Sequence, residues 1–188
     1  MNLCSLNGPQ RWYRVFGAIL LILTGCSTPS ARTHHNAYDA VSAVELYRGE
    51  CFWGTCPSYK VKLGVDGQLS FTGLSAVPAL GERQKTIAAA DVQAILATLD
   101  QMNYFSLSDR YTTRQEGCKE VWSDAPAAEV TVTHHAVRKT VLYYFGCRGG
   151  KKPEQLSRLI KVIEDRTGIA DWIDVDLQSR PEPLPSQP

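Results

Sequence analysis

The residues in this chain best equipped to do chemistry are cysteines and histidines. Cys51 and Cys56 bracket Phe52-Trp53-Gly54-Thr55, Cys118 stands in a long irregular stretch, and Cys147 follows Gly146. A thiol pair can carry electrons when its spacing and surroundings lower a thiol pKa. Four residues separate Cys51 from Cys56, where the Cys-x-x-Cys motif has two, and no thioredoxin-like βαβ pattern surrounds them. They read as a structural staple, with thiol–redox chemistry at Cys51 and Cys56 as the alternative. His134 and His135 are adjacent, so on a strand they would point to opposite faces. With no Cys-x-x-Cys knuckle nearby, they read as an exposed turn pair and not as zinc ligands. His34 and His35 read as solvated linker. There is no Gly-x-Ser-x-Gly and no ordered Ser, His and Asp set, so nucleophilic hydrolysis has no candidate residues. Asp and Glu are scattered and mark no carboxylate pair. No catalytic residue, cofactor or metal is expected.

The N-terminus says which compartment these cysteines meet. Arg11 and Arg14 precede an uncharged apolar core, Val15 to Leu23. Such a core is too short to span a bilayer, which takes ~20 apolar residues, and its order is that of a secretory leader. Leu23-Thr24-Gly25-Cys26 closes it and resembles the bacterial lipoprotein cleavage box. The resemblance implies that residues 1–25 are removed and that Cys26 carries lipid. Ser27 is not the aspartate that favours inner-membrane retention, so the resemblance further implies an outer-membrane anchor facing the periplasm. Cys4 leaves with the leader. Cys51, Cys56, Cys118 and Cys147 then form an even set in an oxidising compartment, where disulfides are the rule.

Charge excludes one partner class. The 188 residues carry a formal net charge of +1, and loss of Arg11 and Arg14 takes it to −1. With no run of basic residues, nothing would hold a polyanion, so nucleic acid is not expected.

The elements follow in order. Residues 26–40 are polar and read as a flexible tether, spanning about 20 Å as coil. Val41 to Tyr47 is a first strand, with Val44 and Leu46 on one face. Tyr59, Val61, Leu63 and Val65 alternate with polar neighbours, the period of a half-buried strand. A three-residue loop, Val65-Asp66-Gly67, would pair Leu63 with Leu69 and Val61 with Phe71. A two-residue loop would flip the faces. Glu82 to Ile87 is a further candidate strand. Val92, Ile95, Leu96, Leu99 and Met102 give an amphipathic helix over Ala89 to Asn103, without a polar N-cap. Tyr104 to Ala127 is irregular. Val130 and Val132 begin a hairpin returning through Val141, Tyr143 and Phe145, its even-numbered loop centred on His135-Ala136. Pro153 suits the first turn of a last helix carrying Leu156, Leu159, Ile160 and Ile163, with Gly168 as its stop. Ile169 and Trp172 pack back, and residues 177–188 form a Pro-rich tail. The expectation is a single α+β domain over residues 41–176: an antiparallel sheet of five to six strands with two helices on one face.

Cys51-Phe52-Trp53-Gly54-Thr55-Cys56-Pro57, with Tyr59 and Asp66-Gly67, resembles a family of secreted bacterial domains (domain of unknown function 6438). Its members open on Cys-Phe-Gly-Thr-Cys-Pro-x-Tyr. The resemblance runs from about Val44 to Trp172, through Tyr104-Phe105-Ser106-Leu107 and Gly146-Cys147. Trp53 is an extra residue in the motif, and Ala136 stands where the second hairpin normally has glycine. Four cysteines allow three pairings; Cys51–Cys56 and Cys118–Cys147 are favoured, one flanking a short turn, the other tying the irregular stretch to the second hairpin.

The family carries no assigned activity. With catalytic residues unmarked, the expected function is non-catalytic binding or scaffolding in the envelope, the alternative being an envelope enzyme or thiol–redox protein using Cys51 and Cys56. The membrane is met through lipid, and the second expected partner is an envelope protein. Phe52, Trp53 and Trp122 are the candidate contact residues; the competing reading has at least one of these rings plugging the sheet edge.

Overall fold

The computed structural model describes Tyr38 and residues 40–173. The expected lipid site at Cys26, Ser27, His34, His35 and the tail at 177–188 lie outside these residues.

Four strands open the domain: β1 (Val41–Arg48), β2 (Ser58–Gly64), β3 (Gln68–Ser75) and β4 (Gly81–Thr86). After helix α1 (Ala89–Gln101) come the short strands β5 (Arg110–Tyr111) and β6 (Glu120–Val121), then β7 (Ala127–His134), β8 (Val137–Tyr144) and β9 (Cys147–Arg148). Helices α2 (Lys151–Thr167) and α3 (Ala170–Ile173) close it. The main sheet runs β4-β3-β2-β1-β7-β8-β5, and β6 pairs with β9 in a separate two-stranded ribbon. All main-sheet pairs are antiparallel except β5 with β8. The class is α+β as expected, but the sheet has seven strands, not five to six. The addition is β5, whose Arg110 and Tyr111 lie opposite Leu142 and Tyr143. Two residues are too few to carry a period.

The first hairpin takes the three-residue loop. Leu63 faces Leu69 and Val61 faces Phe71, Gly67 adopts φ +84°, and the Asp66 carboxylate accepts the Gln68 N–H at 3.0 Å. Val65 lies in the turn and is exposed, so the buried alternation stops at Leu63. In the second hairpin Val130 faces Val141 across a two-residue turn, and the left-handed φ falls on His135, +52°. The turn stays tight without glycine because its partly left-handed demand is met one residue earlier than Ala136.

One face of the sheet presents Val44, Leu46, Tyr59, Val61, Leu63, Leu69, Phe71, Val130, Val132 and Val141, all nearly or fully buried. Against them lie Val92, Ile95 and Leu99 of α1 and Leu156, Leu159, Ile160 and Ile163 of α2. Each such side chain contributes about 1.5–3 kcal/mol by leaving water. The opposite face is polar and open, with Glu45, Lys60, Lys62, Thr72, Thr131 and Arg138 lining it. The core side also ties down the chain before β1: the Tyr104 N–H donates to the Tyr38 hydroxyl at 2.9 Å, and the buried Tyr104 hydroxyl donates to Val130 O at 2.7 Å.

α1 begins at Ala88 without a side-chain cap, as expected. α2 starts just ahead of Pro153 and stops at Gly168, φ +58°. Ile169 is fully buried, while Trp172 packs on Phe71 with ring centroids 5.2 Å apart. Lys85 latches α3 from β4, lying over the Trp172 ring and donating to Gly168 O.

Candidate functional site

The cysteine-bearing segments converge on one end of the sheet, where β1 and β8 finish and β2 and β7 begin. Residues 49–57 cross from β1 to β2 there. Gly49 N–H donates to Ala127 O at 2.8 Å, anchoring the crossing to β7. Cys51 and Cys56 are joined by a disulfide with Cα atoms 5.4 Å apart, so the segment between them is a small closed ring. Within it Gly54 takes φ +66° and returns a hydrogen bond to Cys51 O at 2.8 Å. That curvature leaves no inner face for Phe52 and Trp53. They stand 75% and 76% exposed, their rings edge to face at 5.1 Å. Neither plugs the sheet edge.

The second staple, Cys118–Cys147, is buried, with Cα atoms 5.1 Å apart. It sits beside the β6–β9 ribbon, in which Glu120 faces Arg148 and Val121 faces Cys147. Trp122 follows directly. Its N–H donates to Gly146 O at 2.9 Å, its carbonyl accepts the Tyr144 hydroxyl at 2.8 Å, and Arg148 lies over its ring at 4.9 Å. Gly146 has a steric role here: a Cβ would come within 2.2 Å of Trp122 O and 2.3 Å of the Tyr144 ring. Trp122 remains 42% exposed. Phe52 and Trp53 therefore pack on each other, while Trp122 packs on Arg148 in a neighbouring loop at the same end.

The histidine pair occupies the tip of the second hairpin, at the other end of the sheet. The His134 and His135 rings meet edge to face at 4.5 Å, and His134 also packs on Phe105. Among the described residues no cluster of three or more His, Cys, Asp or Glu could hold a metal ion.

A polar trio not singled out from the sequence lies beneath the aromatic end. The buried Tyr59 hydroxyl donates to the Glu164 carboxylate, and Arg48 Nη1 lies 3.6 Å from the same oxygen. Arg48 also stacks on Phe145, 4.0 Å from the ring centroid. Burial first, and the Glu164 charge second, hold the Tyr59 hydroxyl far above the ordinary phenol range, so it stays a donor. The trio couples β1, β2 and α2. Its signal was available: Arg48 is in phase with Val44 and Leu46, and Glu164 lies four residues after Ile160 on the buried stripe. A polar residue at an apolar position asks for a buried partner.

A family model described as a domain of unknown function (DUF6438) matches residues 42–167, from the start of β1 to the end of α2. No curated protein matches the chain.

Proposed function

We propose, for a chain that belongs to the family described as a domain of unknown function (DUF6438), the role of a lipid-anchored binding domain of the bacterial cell envelope. In this reading the domain carries out no reaction of its own. Cys26 bears the lipid, residues 26–40 let the domain stand about 20 Å off the surface, and the domain faces the periplasm from the outer membrane. Its partner is another envelope protein, held through Phe52 and Trp53. The observation that carries the reading is the exposure of two large aromatic rings on a disulfide-closed ring. Rigid aromatic side chains lose little entropy on contact and are over-represented among residues that dominate interface energy. Trp122 supplies a further exposed ring from the adjacent loop.

Two results are expected. Cys26→Ser moves the full-length protein from the membrane fraction to the soluble periplasm, read by fractionation and by loss of incorporated acyl label; retention in the membrane would remove the anchoring half of the proposal. Trp53→Ala, followed by crosslinking in cells, loses a discrete crosslinked partner at least tenfold while the melting temperature moves by less than about 3 °C, since an exposed substitution changes stability by only about 0.5 kcal/mol. Intact crosslinking together with a large stability loss would make Trp53 a packing residue. Free or readily reduced thiols at Cys51 and Cys56, measured by titration, would favour redox chemistry instead.

A further inference from the structure

We propose that the cleft between α2 and the adjoining end of the sheet is a binding site for a small organic anion, whose carboxylate or phosphoryl group seats on Arg48. This site adjoins the aromatic end through Arg148, which also packs on Trp122, but does not depend on Phe52 or Trp53.

The cleft holds about 570 Å³, within the range of small-molecule sites. Its cations are Arg48 from β1, Arg148 from β9, and Arg158 and Lys161 from α2; its carboxylates are Glu154 and Glu164. Four positive charges thus line the cleft with two negative ones, and a third carboxylate, Asp165, pairs with Lys161 at 3.0 Å, leaving a net excess of one. Glu164 is turned inward as well, accepting from Tyr59. Such an excess raises the local concentration of anions.

Arg48 makes this more than a basic patch. Its side chain is only 18% exposed and lies flat on Phe145. Its approach to Glu164, 3.6 Å, is longer than a good hydrogen bond. Its Nε is buried and has no acceptor among the described residues. A guanidinium carries five N–H donors in a rigid fork matched to a carboxylate or phosphate, and buried donors in folded proteins are nearly always satisfied. An anion in the cleft gives the Nη side of this fork an acceptor, while the buried Nε lies out of its reach. Arg158 is exposed and can close over it, Lys161 can join by leaving Asp165, 3.0 Å away, Ser157 adds a hydroxyl, and the half-buried Phe145 edges the cleft.

The test titrates the full-length protein in non-ionic detergent with succinate and, separately, with inorganic phosphate at low ionic strength, using calorimetry and thermal melts. Sodium chloride at matched ionic strength is the control. Saturable binding of at least one anion is expected, together with a rise in melting temperature that chloride does not give. Tighter succinate assigns the carboxylate form and tighter phosphate the phosphoryl form. Arg158→Gln/Lys161→Gln cancels the excess charge on the exposed turn of α2 and should weaken binding at least tenfold, with the ligand-free melt unchanged. Arg48→Lys, which keeps the charge but loses the fork, should also weaken binding at least tenfold, with some loss of ligand-free stability because Arg48 stacks on Phe145. An effect equalled by chloride, or undiminished binding in the Arg158→Gln/Lys161→Gln protein, would overturn the proposal.

Discussion

Replacing Cys118 and Cys147 together by alanine lowers the melting temperature by about 10 °C. The bond closes a loop between residues 29 apart in sequence, which in the chain-entropy picture is worth about 3.5 kcal/mol; for a domain of this size each kcal/mol moves the midpoint by roughly 3 °C. The location adds a local effect. The staple adjoins β6 and β9, a ribbon of two residues per strand that cannot persist on its own hydrogen bonds. Its loss frees Trp122 from Gly146 and Arg148, so the tryptophan emission shifts before the global transition. The wild-type protein in excess reductant shows both changes with a larger drop in melting temperature, because Cys51–Cys56 opens as well. Removing Cys51 and Cys56 costs less, about 2 kcal/mol, because the enclosed loop is short. An unchanged melt in the Cys118→Ala/Cys147→Ala protein would show that the loop is held by packing alone.

The second large effect sits in the polar trio. Arg48→Met leaves the Glu164 carboxylate, whose side chain is 8% exposed, with Tyr59 as its remaining close partner. Removing one member of a buried ion pair costs about 3–5 kcal/mol, whereas replacing both members by apolar residues of similar volume is often close to neutral. Arg48→Met and Glu164→Leu should therefore each destabilise by about 3 kcal/mol in denaturant melts. The double variant should recover at least about 1.5 kcal/mol of the summed loss. Strict additivity in that cycle would mean that Arg48 and Glu164 act independently.

The legible and illegible parts of the chain divide along physical lines. Hairpin registers were legible because a one-residue slip would have turned Leu63 and Phe71 toward water. Both long helices were legible from stripes of at least four apolar residues. The disulfides followed from an even cysteine set, one pair flanking a short turn and the other tying the irregular stretch to the second hairpin. Strands β5, β6 and β9 were not legible, since each is two residues long and exists only because a distant partner meets it. The trio escaped for another reason: reading buried faces through apolar residues alone passes over Arg48 and Glu164, which occupy the same faces. The exposure of Phe52 and Trp53 depended on the curvature at Gly54, so composition left burial and display equally open.

The position of β1 between β2 and β7 sets an order in which its two edges are satisfied. Its β2 edge can be satisfied as soon as the first hairpin exists. Its other edge waits for β7, and residues 49–126 must be made in between. Until β7 arrives, the central strand offers unpaired backbone groups beside Val44 and Leu46. The unfinished domain is consequently open to mispairing with a second chain along the strand that ends at the centre of its main sheet. Holding that edge apart is the task any chaperone acting on this protein has to perform.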